Sequence, residues 1–346
     1  MERSALEPNP FFAQQMVLPA ARHLEGGDAS HLLLADTSDR LLFLLPVTDR
    51  QRFRGVRLPL LAAWMHDYCY LGTPLVSAHD DPVQIWSAVA GVLRRLRRAP
   101  LLAIQSHTEG GPVAAALRQA DAQMGLALQQ SPTIQRSFVH RRPASTYAAE
   151  SVDKRHLANL ARRRRQLSRI LGCPVETVDR AAAGLDGAIE EFLDLEASGW
   201  KRRTGTALRC RPGHDQFFRE LSQGFAEQGR LMLLSLQSGT RVLAQSTALL
   251  AGPGLFGFKR AYDEAYARWS PGTLLDLDVL TWFHDTPQLG WLDTCSATDV
   301  PLFSDRRAIR TMLLALSPAG TMAAGLLAAS LRARRHLRSR RDRRSA

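Results

Sequence analysis

The 346-residue chain is poor in cysteine, with Cys69, Cys173, Cys210 and Cys295 as its only thiols. They stand far apart, which excludes a dense disulfide framework and a paired Cys-x-x-Cys zinc site. They read as reduced thiols, the pattern of a cytoplasmic protein. Nowhere do about 18 apolar residues run without a charge, so no spanning helix is expected. The opening Met1-Glu2-Arg3-Ser4, soon followed by Pro8 and Pro10, lacks the apolar stretch of a secretory signal. The chain also lacks a Gly-x-x-x-x-Gly-Lys phosphate loop, a Gly-x-Ser-x-Gly elbow and a His-Glu-x-x-His pair. Its ten histidines are scattered singly, so no metal is expected.

What remains is ordinary globular composition, 45% apolar and 23% charged, with a net charge of +12. That charge sits in two runs. Lys154 to Arg169 holds seven basic residues and no acid, and Arg332 to Ala346 holds eight arginines against Asp342. The rest of the chain is therefore slightly acidic. No helix-turn-helix, zinc finger or aromatic-bearing sheet signature accompanies the runs, so no DNA is expected as a partner. The first run reads as a solvated or anion-facing helix, the second as a frayed tail. With Leu326, Leu327 and Leu331 ahead of it, the basic end has the make-up of a segment that rests on anionic lipid.

Periodicity divides the rest into helices and strands. A helix follows Asn9-Pro10-Phe11-Phe12 and runs to about Leu24. Strands at Leu32–Ala35 and Leu41–Val47 flank a polar turn, a helix starts at Val83, and Leu101–Gln105 is a short buried strand. Pro112–Gln123 is helical after Gly110-Gly111, and Ala127–Val139 is extended. In the second half, helices are expected at Lys154–Leu171, Leu185–Ser198, His214–Gln228, Thr273–His284 and Asp305–Leu316. Strands are expected at Val175–Val178, Leu231–Gln237, Val242–Leu250, Leu255–Tyr262 and Trp291–Asp293. Each half sets a hairpin before a helix–strand–helix–strand series. The expected fold is mixed α/β in two tandem units, 1–150 and 151–318, with a basic amphipathic tail at 319–346.

The most informative stretch joins Phe258-Lys259-Arg260-Ala261-Tyr262-Asp263-Glu264 to Arg268-Trp269-Ser270-Pro271-Gly272-Thr273-Leu274. A strand ends in polar residues, and Ser-Pro-Gly then starts a helix. Ser270 suits the N-cap and Pro271 the first helical position, where no donor is lost. Gly272 admits close approach to the backbone, and the helix start offers N–H groups with partial positive charge. Such an end suits a phosphate, with Arg268 beside it; it is equally what a well-capped helix looks like. Cys295, at a strand end, reads as a small buried thiol, since no base lies near it in sequence.

Several of these segments resemble a bacterial acetyltransferase family of the GNAT fold, the CelD-like family associated with cellulose and other exopolysaccharide biosynthesis. The resemblance is carried by Leu195-Glu196 with Gly199-Trp200-Lys201 and Gly205-Thr206-Ala207-Leu208. It continues in Phe258-Lys259 with Ala261-Tyr262-Asp263-Glu264, in Ser270-Pro271-Gly272-Thr273-Leu274-Leu275, and in Leu292-Asp293-Thr294-Cys295-Ser296-Ala297. The arginine-rich helix Lys154–Leu171, Asn9-Pro10-Phe11-Phe12 and Gly72-Thr73-Pro74-Leu75 add to it. The family is itself similar to the Fem transferases, which carry two GNAT-like units. The resemblance implies an acyltransferase that takes acetyl-coenzyme A or another acyl-coenzyme A as substrate, without a metal. Its acceptor would be an amino sugar or similar group. Lys259, Tyr262 and Asp263 would be catalytic, and Arg268, Ser270, Gly272, Thr273 and Leu274 would hold the coenzyme. Trp200, Lys201 and Asp293 would meet the acceptor. The location implied is cytoplasmic, with peripheral contact at the inner membrane face. A Fem-like use of aminoacyl-tRNA and a non-catalytic scaffold in polysaccharide assembly are the alternatives. The sequence departs from the family at Arg268–Thr273, where Pro271 interrupts the usual Arg/Gln-x-x-Gly-x-Gly/Ala turn. It departs again at Phe303–Arg307, which lacks the customary tryptophan.

Overall fold

The computed structural model describes residues 2–27, 30–37, 40–96, 99–125, 127–143, 147, 152–296, 300, 302–327 and 329. Its helices are α1 (Gln14–His23), α2 (Pro82–Leu96), α3 (Pro112–Met124), α4 (Lys154–Leu171), α5 (Leu185–Ser198), α6 (Trp200–Arg203), α7 (His214–Glu227) and α8 (Pro271–Asp285). Its strands are β1 (Ser30–Asp36), β2 (Leu41–Phe53), β3 (Val56–Ala63), β4 (Leu75–Val76), β5 (Leu101–Thr108), β6 (Leu128–Gln130) and β7 (Ile134–His140). They continue with β8 (Val175–Asp179), β9 (Leu231–Ser238), β10 (Arg241–Ala251), β11 (Gly254–Tyr262), β12 (Trp291–Asp293) and β13 (Asp305–Ala315). The fold is mixed α/β, in two compact units that interleave along the chain. One draws its described residues from Met1–Ala13, Asp28–Gln135 and Ala308–Ala346, the other from Gln14–Gly27 and Arg136–Arg307. Local patterning suggests contiguous spans because it carries no signal for a strand or helix supplied from a distance.

In the first unit β1, β2 and β3 form an antiparallel meander, and β5 lies parallel to β3. A parallel neighbour needs a crossover, and α2 lies within the connection. Its Trp86 packs edge-on to Phe43 of β2, with ring centres 5.0 Å apart. Asn9 ties two of the sequence landmarks together: its side-chain N–H groups donate to the carbonyls of Leu71 and Thr73 at 3.0 and 2.7 Å. The Asn9 side-chain Oδ1 accepts from the Phe11 N–H. The helix expected at Asp305–Leu316 is instead β13, antiparallel to β5 and β6. Ile309 and Thr311 through Ala315 are all buried. A strand covered on both faces reads as a continuous apolar run, which periodicity cannot tell from a buried helix. The tail from Arg332 to Ala346 lies outside the described residues.

The second unit orders its strands β7-β12-β11-β10-β9-β8. All neighbours are antiparallel except β11 and β12, which are parallel and joined through α8. Alternation decides the two faces: Met232, Leu234 and Leu236 of β9 share a core with Leu160 and Leu167 of α4 and with Leu275, Val279 and Phe283 of α8. On the other face Ser235 of β9 meets Gln245 of β10, whose amide also reaches the Ala188 carbonyl of α5. Among the described residues no helix is long and apolar enough to cross a membrane.

Candidate active site

Strand β11 organises the site. It pairs with β12 only from Gly254 to Phe256, opposite Trp291 to Asp293, yet continues to Tyr262. Beyond the pairing lies a cavity of about 210 Å³ whose lining includes Thr247, Phe258, Lys259, Arg260, Asp276 and Val279. The register with β10 shifts there, Lys259 opposing Thr247 and Gly257 opposing Ala248, so Phe258 is the extra residue of a bulge. A bulge re-aims side chains beside it. Phe258 and the following Lys259 accordingly turn to the same face: Phe258 stacks on Phe218 of α7, and the Lys259 ammonium reaches Glu196 of α5. Arg260 points the other way and pairs with Asp276 of α8.

Two carboxylates define the electrostatics. Glu196 has a fully buried side chain; its Oε1 accepts from the ammonium groups of Lys259 and Lys201, each at 2.8 Å. Its Oε2 accepts from the Leu208 N–H at 2.8 Å. Burial pushes the Glu196 carboxyl up, but Lys259 and Lys201 outweigh it and hold the group below its ordinary value. Burial drives Lys259 down, against the pull of Glu196. Asp276 behaves oppositely: its burial outweighs Arg260 and raises it. Neither Glu196 nor Asp276 is singled out by sequence. Glu196 lies inside a quoted run, and Asp276 is a carboxylate amid an apolar helical face, which is the one signal available for it.

A second cavity, about 220 Å³, is lined by Glu196, Trp200, Lys201, Arg260, Tyr262 and Glu264 among others. Lys201 also donates to the Arg260 carbonyl at 2.8 Å. Trp200 is 47% exposed, and its backbone N–H donates to Glu264 Oε1 at 2.6 Å. The structure thus gathers Trp200, Lys201 and Tyr262 around this space and places Lys259 on the first cavity. Asp263 joins neither lining: its carboxylate caps the following turn by accepting from the Ala265 N–H. Asp293 is wholly buried, between Arg307 at 3.3 Å and Arg136 at 3.5 Å, and it accepts from the Cys295 N–H. Burial pushes the Cys295 thiol well above its ordinary value, which suits an inert thiol.

The start of α8 differs from expectation at one residue. Ser270 occupies the N-cap position in a left-handed conformation, with φ of 56°, and its side chain makes no capping bond. The hydroxyl instead accepts from Arg163 of α4. The Ser270 carbonyl takes the N–H groups of both Thr273 and Leu274, at 3.0 Å each. Pro271 has no donor, so the backbone of this turn offers an anion mainly the Gly272 N–H. Cations around it come from side chains: Arg163, Arg268 stacked 3.7 Å over Trp269, and Arg164 held by Asp278 at 2.6 Å. This turn therefore offers little of a backbone cradle for a pyrophosphate. Among the described residues no group of three His, Cys, Asp or Glu is placed to hold a metal.

Residues 154–295 match the family described as Acetyltransferase (GNAT) domain. The stretch lies within the second unit and runs from α4 to just past β12. The structure is similar to that of FemX, at 8% identity and a TM-score of 0.58, covering 93% of this chain and 96% of that one. It is similar to L-PGS from Bacillus licheniformis at 11% identity and a TM-score of 0.53, covering 94% and 98%. The C-terminal domain of a putative lysylphosphatidylglycerol synthetase from Agrobacterium fabrum follows at 11% and 0.52, covering 92% and 95%. At these identities the likeness is one of fold. No curated protein sequence matches the chain.

Proposed function

We propose that the protein moves an acetyl or other acyl group from an acyl-coenzyme A to an amine or hydroxyl acceptor, in polysaccharide or cell-envelope biosynthesis at the cytoplasmic side. The observation that carries this is the parting of β11 from β12 beside the bulge at Phe258, which leaves strand backbone and Lys259 on a cavity of about 210 Å³. The thioester supplies the activated acyl group. Everything else falls to positioning and charge. In this reading Lys259 stabilises the negative charge that develops on the acyl oxygen. Tyr262 protonates the departing thiolate, and Asp263, freed from its cap, takes the acceptor's proton as a base or orients the acceptor. Trp200, Lys201 and Asp293 shape the acceptor side. Arg268, Ser270, Gly272, Thr273 and Leu274 face the coenzyme phosphates, with Arg163 making up for the donors the turn has spent.

The sparse backbone donors of the α8 start and the arginines around it also favour a second reading, in which side chains read the phosphates of a charged tRNA. The two are separated by one experiment: the purified chain is offered a panel of acyl-coenzyme A thioesters and amino sugars, and separately aminoacyl-tRNA, with products read by mass spectrometry. Coenzyme A release matched by acylated acceptor supports the first reading. Transfer from tRNA alone moves the function to the second, and transfer from neither leaves a scaffold.

A further inference from the structure

The sequence uses arginine 42 times and lysine three times, at Lys154, Lys201 and Lys259. Two of those three lysines converge on one oxygen of one buried carboxylate. Arginine makes the stronger buried ion pair and cannot lose its proton, whereas lysine is a compact cation whose proton can be displaced. A chain that otherwise chooses arginine has kept lysine where the two meet.

We propose that Glu196 and Lys201 form with Lys259 a single three-residue charge unit, in which Glu196 is the positioning residue that aims Lys259 and Lys201 is the counter-cation that keeps the unit at net +1. The inference rests on the acyl-transfer reading, since it assigns these residues to the control of Lys259 in that reaction. Its basis is geometric. Each residue comes from a different element, Glu196 from α5, Lys201 from α6 and Lys259 from β11 at the bulge. Glu196 Oε1 is shared between the ammonium groups at 2.8 Å each, and Oε2 is occupied by the Leu208 N–H, so the carboxylate has one orientation. Lys201 is fixed in turn by the Arg260 carbonyl, the residue that lines both cavities. Without Lys201, Glu196 would neutralise Lys259 and leave no positive field for a developing oxyanion. Without Glu196, two ammonium groups would face one another unscreened. Arg211 also acts on Lys259, more weakly than either.

Having only three lysines makes the test direct. The full chain is labelled with [13C,15N]-lysine, and the three side-chain signals are followed as pH rises, with exposed Lys154 as the reference. Lys201→Met removes the like charge, so Lys259 should hold its proton more tightly. Glu196→Gln removes the attraction, so it should hold the proton more weakly. Each change in proton affinity should be about tenfold or more, with Lys201→Arg staying near the wild type. Should Glu196→Gln not fold, Lys201→Met and Lys201→Arg carry the test alone. A Lys259 titration that is the same in Lys201→Met as in the wild type overturns the proposal, because two ammonium groups that share one carboxylate oxygen cannot titrate independently. Acyl transfer measured on the same samples separates the two claims. Signals that move as expected, without transfer from any thioester of the acyl-coenzyme A panel, uphold the charge unit and overturn the acyl-transfer reading.

Discussion

Gly257 sits against the carbonyl of Thr294 so closely that a Cβ on it would lie 2.8 Å from that oxygen. The two backbones meet where β11 parts from β12, in the lining of the first cavity. Gly257→Ala must therefore push one strand aside, at about 1–3 kcal/mol in stability by the cost of overpacking. A fall in melting temperature together with weaker acetyl-coenzyme A binding is expected. Gly272→Ala is the control, since its Cβ would meet the Tyr262 ring at 3.5 Å and the Arg260 side chain at 4.0 Å, both ordinary contacts. That variant should keep or gain about 0.4–1 kcal/mol, which chemical denaturation can read. A Gly257→Ala protein as stable as the wild type would show that the strands part more easily than this contact implies.

Glu196→Gln should be among the most damaging single changes in the second unit. It leaves two ammonium groups, one of them deeply buried, sharing an amide. Breaking a buried pair in this way costs about 3–5 kcal/mol. Because both lysines depend on the same oxygen, Glu196→Gln combined with Lys201→Met should cost less than the sum of the two. Additive losses in a denaturation cycle would mean that Lys201 and Glu196 do not act as a pair.

Much of this architecture is legible in the sequence, and its failures have physical causes. Helices α4 and α5 and strand β12 fall where periodicity puts them, and Gly172, Gly184 and Gly199 mark the ends of the two helices. Strand β13 is missed because burial on both faces erases its alternation. The hydroxyl of Ser270 suits a cap, yet positive φ turns it toward Arg163, a partner 107 residues away. The segment Phe258–Tyr262 is identifiable as a strand. That a bulge would aim Lys259 at Glu196 depends on its register with β10, which no local pattern encodes. Lys201 and Lys259 thus stand among the residues singled out from the sequence, whereas Glu196, the carboxylate they share, is brought to them by tertiary structure.

Asp276 gives stability a pH dependence of predictable sign. Burial, only partly offset by Arg260, raises its folded-state value above that of the unfolded chain. Stability from such a group is fully present below the unfolded value and is lost as pH rises through the folded one. Asp276→Asn removes the titration while keeping the shape. The variant should therefore gain melting temperature relative to wild type as pH is raised from about 3.5 toward neutrality, the unfolded carboxyl titrating near 3.9. A constant difference across that range would show that Arg260 fully compensates the buried charge.

Thr273 tests whether the α8 start meets phosphates at all. An acidic side chain in the first turn of a helix is favourable by about 0.3–1 kcal/mol, so Thr273→Glu should fold at least as well as the wild type. The new carboxylate would nevertheless oppose an anion at this turn and compete for Arg163, which now donates to Ser270. Charge-assisted bonds of that kind are worth about 1–3 kcal/mol, which corresponds to roughly five- to hundred-fold in affinity. Calorimetric titration of both proteins with acetyl-coenzyme A reads the difference, and desulfo-coenzyme A serves to separate phosphate contacts from acyl contacts. If the turn serves only to start α8, stability holds and affinity does not move. Weakened binding at unchanged stability places the phosphates here, carried by arginine side chains where Pro271 has removed the backbone donor.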